Sequence, residues 1–254
     1  MIVVISPAKT LDFETPVKVN GQTEAAFLKD SKILVNELKK LKADELAKLM
    51  SVSPKIAWLT LERYAQWQLP FPASSTRQAI FAFKGEVYHG LDSYSLTQEQ
   101  VEYAQNHLRI LSGLYGILKP LDMIMPYRLE MGTKLSAHQY KDLYDFWGEK
   151  LSKSLVKTAR ENNIKTIVNL ASLEYFKSIN NSSLKLPIIT PVFKESKGDQ
   201  FQVVSIFAKK ARGLMTRFII ENQINTPDGL KHFDKEGYFF NDSLSTSNEL
   251  IFTR

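Results

Sequence analysis

Leu108 to Gly132 reads LRILSGLYGILKPLDMIMPYRLEMG and concentrates glycines, prolines and paired charges more densely than any other segment. Its run-up carries helix-start signals. Thr97 stands as N-cap with Gln100 three residues on, a capping box, and Leu96 and Val101 stand where a hydrophobic staple needs them. Val101, Ala104, Leu108 and Leu111 recur at helical spacing, which predicts a helix running to Gly113 and stopping there on a left-handed C-cap. Gly113-Leu114-Tyr115-Gly116 then reads as a tight turn whose backbone amides can approach a phosphate. That is the chemistry of a helix-hairpin-helix nucleic-acid element, here spanning residues 97–125. Pro120 and Pro126 confine any second helix to about one turn. A turn that only lets elements pack closely accounts for the same glycines equally well.

The chain has 254 residues, 44% of them hydrophobic, enough for a sizeable core, and no stretch resembles a linker. One domain over residues 1–254 is expected. No apolar run approaches the roughly 18 residues of a membrane span, and Pro7 stops the first apolar run too early for a signal peptide, which predicts a cytosolic protein. Zero cysteines exclude disulfides, thiolate metal sites and thiol redox sensing. A formal charge of +6 points to an anionic partner. Its distribution is sharper than its total, because residues 201–220 hold Lys209, Lys210, Arg212 and Arg217 and no acid.

Wound as a helix at about 100° per residue, Ala208 to Asn222 puts those four cations within an arc of roughly 160°. Ala211, Leu214, Met215, Phe218 and Ile219 take the opposite side. One face docks on the core, and the other is a cationic stripe or simply a solvated face. Gly213 lies on the stripe, where a missing side chain lets a phosphate approach the backbone. Thr226-Pro227 caps a further short helix, so residues 208–232 are a second candidate for the hairpin element, without twin glycines.

Ile2 to Ile5 is a continuous β-branched run, the pattern of a strand covered on both faces, ended by Ser6-Pro7 and followed by Lys9. Thr166 to Leu170 repeats the arrangement, with Ala171-Ser172 opening a helix that carries Glu174, Tyr175 and Lys177. Carboxyl ends of parallel strands border the ligand crevice of an α/β sheet, so Lys9 and Lys177 are expected to face one cleft. Ala79 to Phe83 reads as a strand turning at Lys84-Gly85. Ile188 to Val192 and Phe201 to Phe207 read as a hairpin, and the apolar runs of Glu236 to Arg254 as further strands. Asp142 to Arg160 reads as an amphipathic helix. Trp58, Tyr64 and Trp67 are expected as core aromatics, with base stacking the alternative.

Chemistry-bearing motifs are sparse. Glu86 and His89 form one E-x-x-H pair where a di-iron bundle needs two, and His107, His138 and His232 have no partner at ligand spacing, so neither metal nor cofactor is expected. Ser6 and Lys9 make an S-x-x-K pair without its companion motifs. Arg128 and Glu130, two residues apart, fall on one side of an extended segment and can pair.

Five stretches, in order, are similar to motifs of the YaaA family of bacterial peroxide stress resistance proteins. They are ISPAKTLDF at Ile5 to Phe13, AFKGEVYHGL at Ala82 to Leu91, NLASLEYFKS at Asn169 to Ser178, AKKARGLMTRFIIEN at Ala208 to Asn222 and EGYFF at Glu236 to Phe240. The resemblance spans nearly the whole chain. It implies a cytosolic protein that limits damage by peroxide and unincorporated iron, binding DNA through a basic cleft and a helix-hairpin-helix element. It supplies no established catalytic residue.

The expected architecture is therefore α/β, a central mixed sheet surrounded by helices and including a helix-hairpin-helix-like element. The expected partner is DNA, duplex or structured, held by a monomer mainly through phosphates with little base readout. Lys9, Lys84, Gly113, Gly116, Arg128, Lys177, Lys209, Lys210, Arg212 and Arg217 are the expected contacts. About four engaged cations predict a slope of log K against log salt near −3.6. The alternative is an enzyme acting on a nucleotide or DNA base, with Asp12, Glu130 and Glu174 as candidate acids or bases.

Overall fold

A computed structural model describes residues 1–254 except His138, Asn180 and Asp199. Its central sheet is built around β1 (Ile2–Ile5), all four of whose residues are buried, as a strand covered on both faces requires. The other strands are β2 (Leu108–Ser112), β3 (Gly116–Leu118), β4 (Ile167–Leu170), β5 (Ile188–Lys197), β6 (Gln200–Gln202), β7 (Phe239–Phe240) and β8 (Glu249–Thr253). They lie in the order β7-β8-β5-β4-β1-β2-β3, with β6 folded back on the end of β5. β8, β5, β4, β1 and β2 run parallel, while β3, β6 and β7 are antiparallel additions. The sheet is mixed, and its register sets Val4 beside both Arg109 and Asn169.

Around it pack α1 (Leu28–Leu38), α2 (Ala43–Met50), α3 (Pro54–Gln66), α4 (Glu86–Leu91), α5 (Gln98–His107), α6 (Lys150–Glu161) and α7 (Ser205–Glu221). No helix among the described residues is long and apolar enough to cross a membrane.

The helix after Thr97 has its expected capping box but ends at His107, short of Gly113. Leu108–Ser112 is β2 instead. Arg109 is buried and donates to the carbonyls of Gln105 (3.0 Å) and Leu108 (2.7 Å), closing the helix end, and pairing with β1 does the rest. The segment 97–125 is thus a helix followed by a β-hairpin, with no second helix. Both hairpin glycines are buried. A Cβ on Gly113 would lie 2.4 Å from the Leu129 carbonyl oxygen, and Gly116 at φ +69° packs against Trp147 and Leu151, so neither offers its backbone to a phosphate.

Other boundaries also differ. Ala79–Ala82 is one helical turn, and only Phe83–Lys84 is strand, paired with Thr10–Leu11. Gly148 at φ +46° breaks the Asp142 to Arg160 helix into Leu143–Trp147 and α6. Ser205 to Phe207 belong to α7, not to β6. Tyr64 and Trp67 are core, whereas Trp58 is 59% exposed. The turn near Ile224 to Asp228 does join α7 to a second helix, the four-residue Pro227–Leu230.

Candidate functional site

From β1 the chain crosses to β2 on one side, and later returns to β4 on the other before passing on to β5. Connections therefore leave the neighbours β1 and β4 in opposite directions, the switch point at which an α/β sheet opens a crevice. Ser6 and Ser172 sit there, just beyond the two strands. The Ser172 amide donates to Ser6 Oγ at 2.8 Å, and the two hydroxyl oxygens are 3.3 Å apart. Tyr88 donates its hydroxyl to the Ser6 carbonyl at 3.1 Å.

These residues line a cleft of about 620 Å³. Lys9, Lys84, Arg128, Lys209 and Arg212 enter it as cations and Glu86, Glu130 and Glu174 as carboxylates. Lys9 Nζ lies 2.6 Å from Glu130 Oε2, and Arg128 Nη2 lies 3.1 Å from Glu130 Oε1, so one carboxylate is clamped by two cations. Glu174 Oε1 accepts from the Gly132 amide at 2.9 Å. By contrast, the side chains of Lys84, Lys209 and Arg212 have no ion-pair or hydrogen-bond partner among the described residues. Burial lowers the Arg212 pKa from the ordinary guanidinium value. Burial also raises the Tyr88, Tyr127 and Tyr175 phenols above their ordinary value, so all three stay protonated in the usual pH range.

The α7 stripe is divided. Lys209 and Arg212 face the cleft. Lys210 pairs with Glu236 at 2.5 Å, and Arg217 is tied to Glu221 and to the carbonyls of Leu91 and Asp92. Gly213 is absorbed by packing rather than left open to a ligand, since a Cβ there would lie 1.9 Å from the Val87 carbonyl oxygen of α4. Lys177 is not among the cleft-lining residues; its ammonium lies 5.0 Å over the Tyr144 ring. Asp12 also lies outside the lining, with its carboxylate accepting from the Glu14 and Thr15 amides (3.0 Å each) and the Thr15 hydroxyl (2.7 Å). A little burial pulls the Asp12 pKa up, but the Thr15 and Glu14 hydrogen bonds and the nearby Arg77 charge hold it below the ordinary value.

The E-x-x-H pair resolves into a mutual contact, Glu86 to His89 at 3.4 Å. Among the described residues no group of three or more His, Asp or Glu side chains is placed to share a metal ion; His138 lies outside those residues. No sequence pattern brings Glu86, Tyr88 or Tyr127 to the cleft. Each lies within two residues of Gly85, Glu86 or Arg128, and that adjacency is the available signal.

Fold and site together define an α/β protein with a cation-rich, ligand-sized cleft at its switch point. A family model described as peroxide stress protein YaaA matches residues 1–244. The chain is 50% identical to UPF0246 proteins of Hahella chejuensis and of Saccharophagus degradans, and 51% identical to one of Psychromonas ingrahamii, in each case over 100% of this chain and 99% of the relative. The chain belongs to the peroxide stress protein YaaA family.

Proposed function

We propose that this protein binds DNA in the cytosol without sequence preference, through phosphates held at the switch-point cleft, and so limits iron-dependent oxidative damage to that DNA. The observation that carries the reading is the trio Lys84, Lys209 and Arg212, unpaired among the described residues and set beside Lys9 and Arg128 in one cleft. Cations without acidic partners remain available to phosphate, and exchanging condensed counterions for them drives association. Side chains carry the contact, because the hairpin glycines are buried.

Three engaged cations give a slope of log K against log salt near −2.7, so affinity falls ~40-fold between 50 and 200 mM salt. A salt series on duplex, bubble and single-stranded DNA measures it. Changing Lys84, Lys209 and Arg212 together to Gln flattens the slope. A flat wild-type response, or unchanged binding by the triple variant, overturns the reading.

A further inference from the structure

The cleft is smaller than the DNA proposed to bind there. A volume of about 620 Å³ is far too small for a duplex, whose body is wider than its own ~12 Å major groove. A duplex can lay its backbone across the mouth but cannot enter. The same volume falls within the roughly 300–1,000 Å³ of sites that enclose a small molecule.

The lining divides by chemistry. Lys84, Lys209 and Arg212 present cationic donors without partners among the described residues. Ala8, Val87, Leu129 and the bodies of Tyr88, Tyr127 and Tyr175 make much of the remainder apolar. Within that remainder the Glu130 and Glu174 carboxylates provide hydrogen-bond acceptors. A bare phosphate uses only the first set. A nucleoside uses the other two, laying its ring on apolar surface and donating from an exocyclic amine or a sugar hydroxyl to a carboxylate.

We propose that the cleft takes one phosphorylated nucleoside unit, its phosphate on Arg212, Lys209 and Lys84 and its nucleoside on the side of Leu129, Glu130 and Glu174. The unit has two sources, a free mononucleotide or a single nucleotide turned out of a strand lying across the mouth. The second source rests on the DNA-binding reading, and the first does not.

Calorimetric titration of the full chain at low salt with dAMP, dGMP, dCMP, dTMP, deoxyadenosine and inorganic phosphate tests the first source. Duplexes carrying 2-aminopurine at a paired or an unpaired position test the second by fluorescence. Expected for the free source is one-to-one mononucleotide binding at least about tenfold tighter than either fragment, weakened about tenfold by Arg212→Gln or Lys209→Gln and unchanged by Lys210→Gln. A rise in 2-aminopurine fluorescence at the unpaired position only, lost in Arg212→Gln, supports the strand source. Salt-dependent DNA binding with neither signal overturns the one-unit site and leaves the phosphate reading standing. Mononucleotide binding without DNA binding supports the site and removes the DNA reading.

Discussion

Glu130 sets how much of the cleft's positive charge a ligand meets, because it neutralises Lys9 from one oxygen and Arg128 from the other. Replacing it with Gln keeps the shape and frees two cations. For a strand that only lies across the mouth, Glu130→Gln is expected to raise DNA affinity and to steepen the salt slope by about 0.9 to 1.8. A DNA affinity that falls in this variant would show the carboxylate itself touching a nucleotide inside the cleft, as the strand source of the one-unit site requires. His107 carries a separate prediction. Its ring stacks on Tyr103 with centroids 4.2 Å apart, and Nδ1 lies 2.9 Å from the Met1 carbonyl oxygen. Partial burial lowers its pKa from 6.5, the Met1 hydrogen bond opposes this, and the charge of Arg109 adds to the lowering. The unfolded chain therefore takes the proton first. Stability is fully present above the unfolded pKa and is lost as pH falls through it toward the folded value. Thermal unfolding followed downward from neutral pH is expected to show a fall in Tm that His107→Gln flattens. At this scale the sequence was legible only where partners are neighbours. The Arg128–Glu130 pair follows from two-residue spacing on an extended segment, whereas Lys9–Glu130 depends on where the fold brings two remote loops.

Among the elements, the crossing of α4 and α7 builds one wall of the cleft. Gly90 and Gly213 let the helices meet backbone to backbone; a Cβ on Gly90 would stand 2.2 Å from the Lys210 carbonyl oxygen. Gly213→Ala must drive them apart, at a cost of ~2 kcal/mol or more. It should also weaken binding by moving Lys209 and Arg212 relative to Glu86 and Tyr88. An unchanged midpoint in denaturant would contradict the packing argument. The stripe gives a contrast within one helix. Lys209→Gln and Arg212→Gln should each remove about 0.9 from the salt slope. Lys210→Gln should leave it unaltered, and Arg217→Gln should cost about 1–3 kcal/mol of stability with the slope unchanged, since its guanidinium holds two carbonyls, the Ser95 hydroxyl and Glu221. Periodicity identified the two faces of α7, but it contains nothing about Glu236 or Asp92, the distant acids that remove Lys210 and Arg217 from the stripe. The same limit explains β2. Leu-Arg-Ile-Leu-Ser satisfies helical and extended spacing alike, and only pairing with β1 decides between them.

For the whole molecule, the two strand-then-serine segments were the legible part of the architecture, and they do meet at the switch point through Ser6 and Ser172. Which side each following lysine would take was not legible, because that depends on the short helix Leu173–Phe176 and its neighbours rather than on the strands. The central place of β1 has a further consequence for how the protein is made. Val3 pairs with Leu108 and Ile2 with Ile167, so both flanks of this strand come from far along the chain. Closing loops of that length costs entropy before any pairing repays it, and folds dominated by such contacts form slowly. In chain order Ile2 to Ile5 precedes Leu108–Ser112 by about a hundred residues and Ile167–Leu170 by about 160. The first strand of the sheet in chain order stays open to misplaced pairing on one flank until β2 follows and on the other until β4 does.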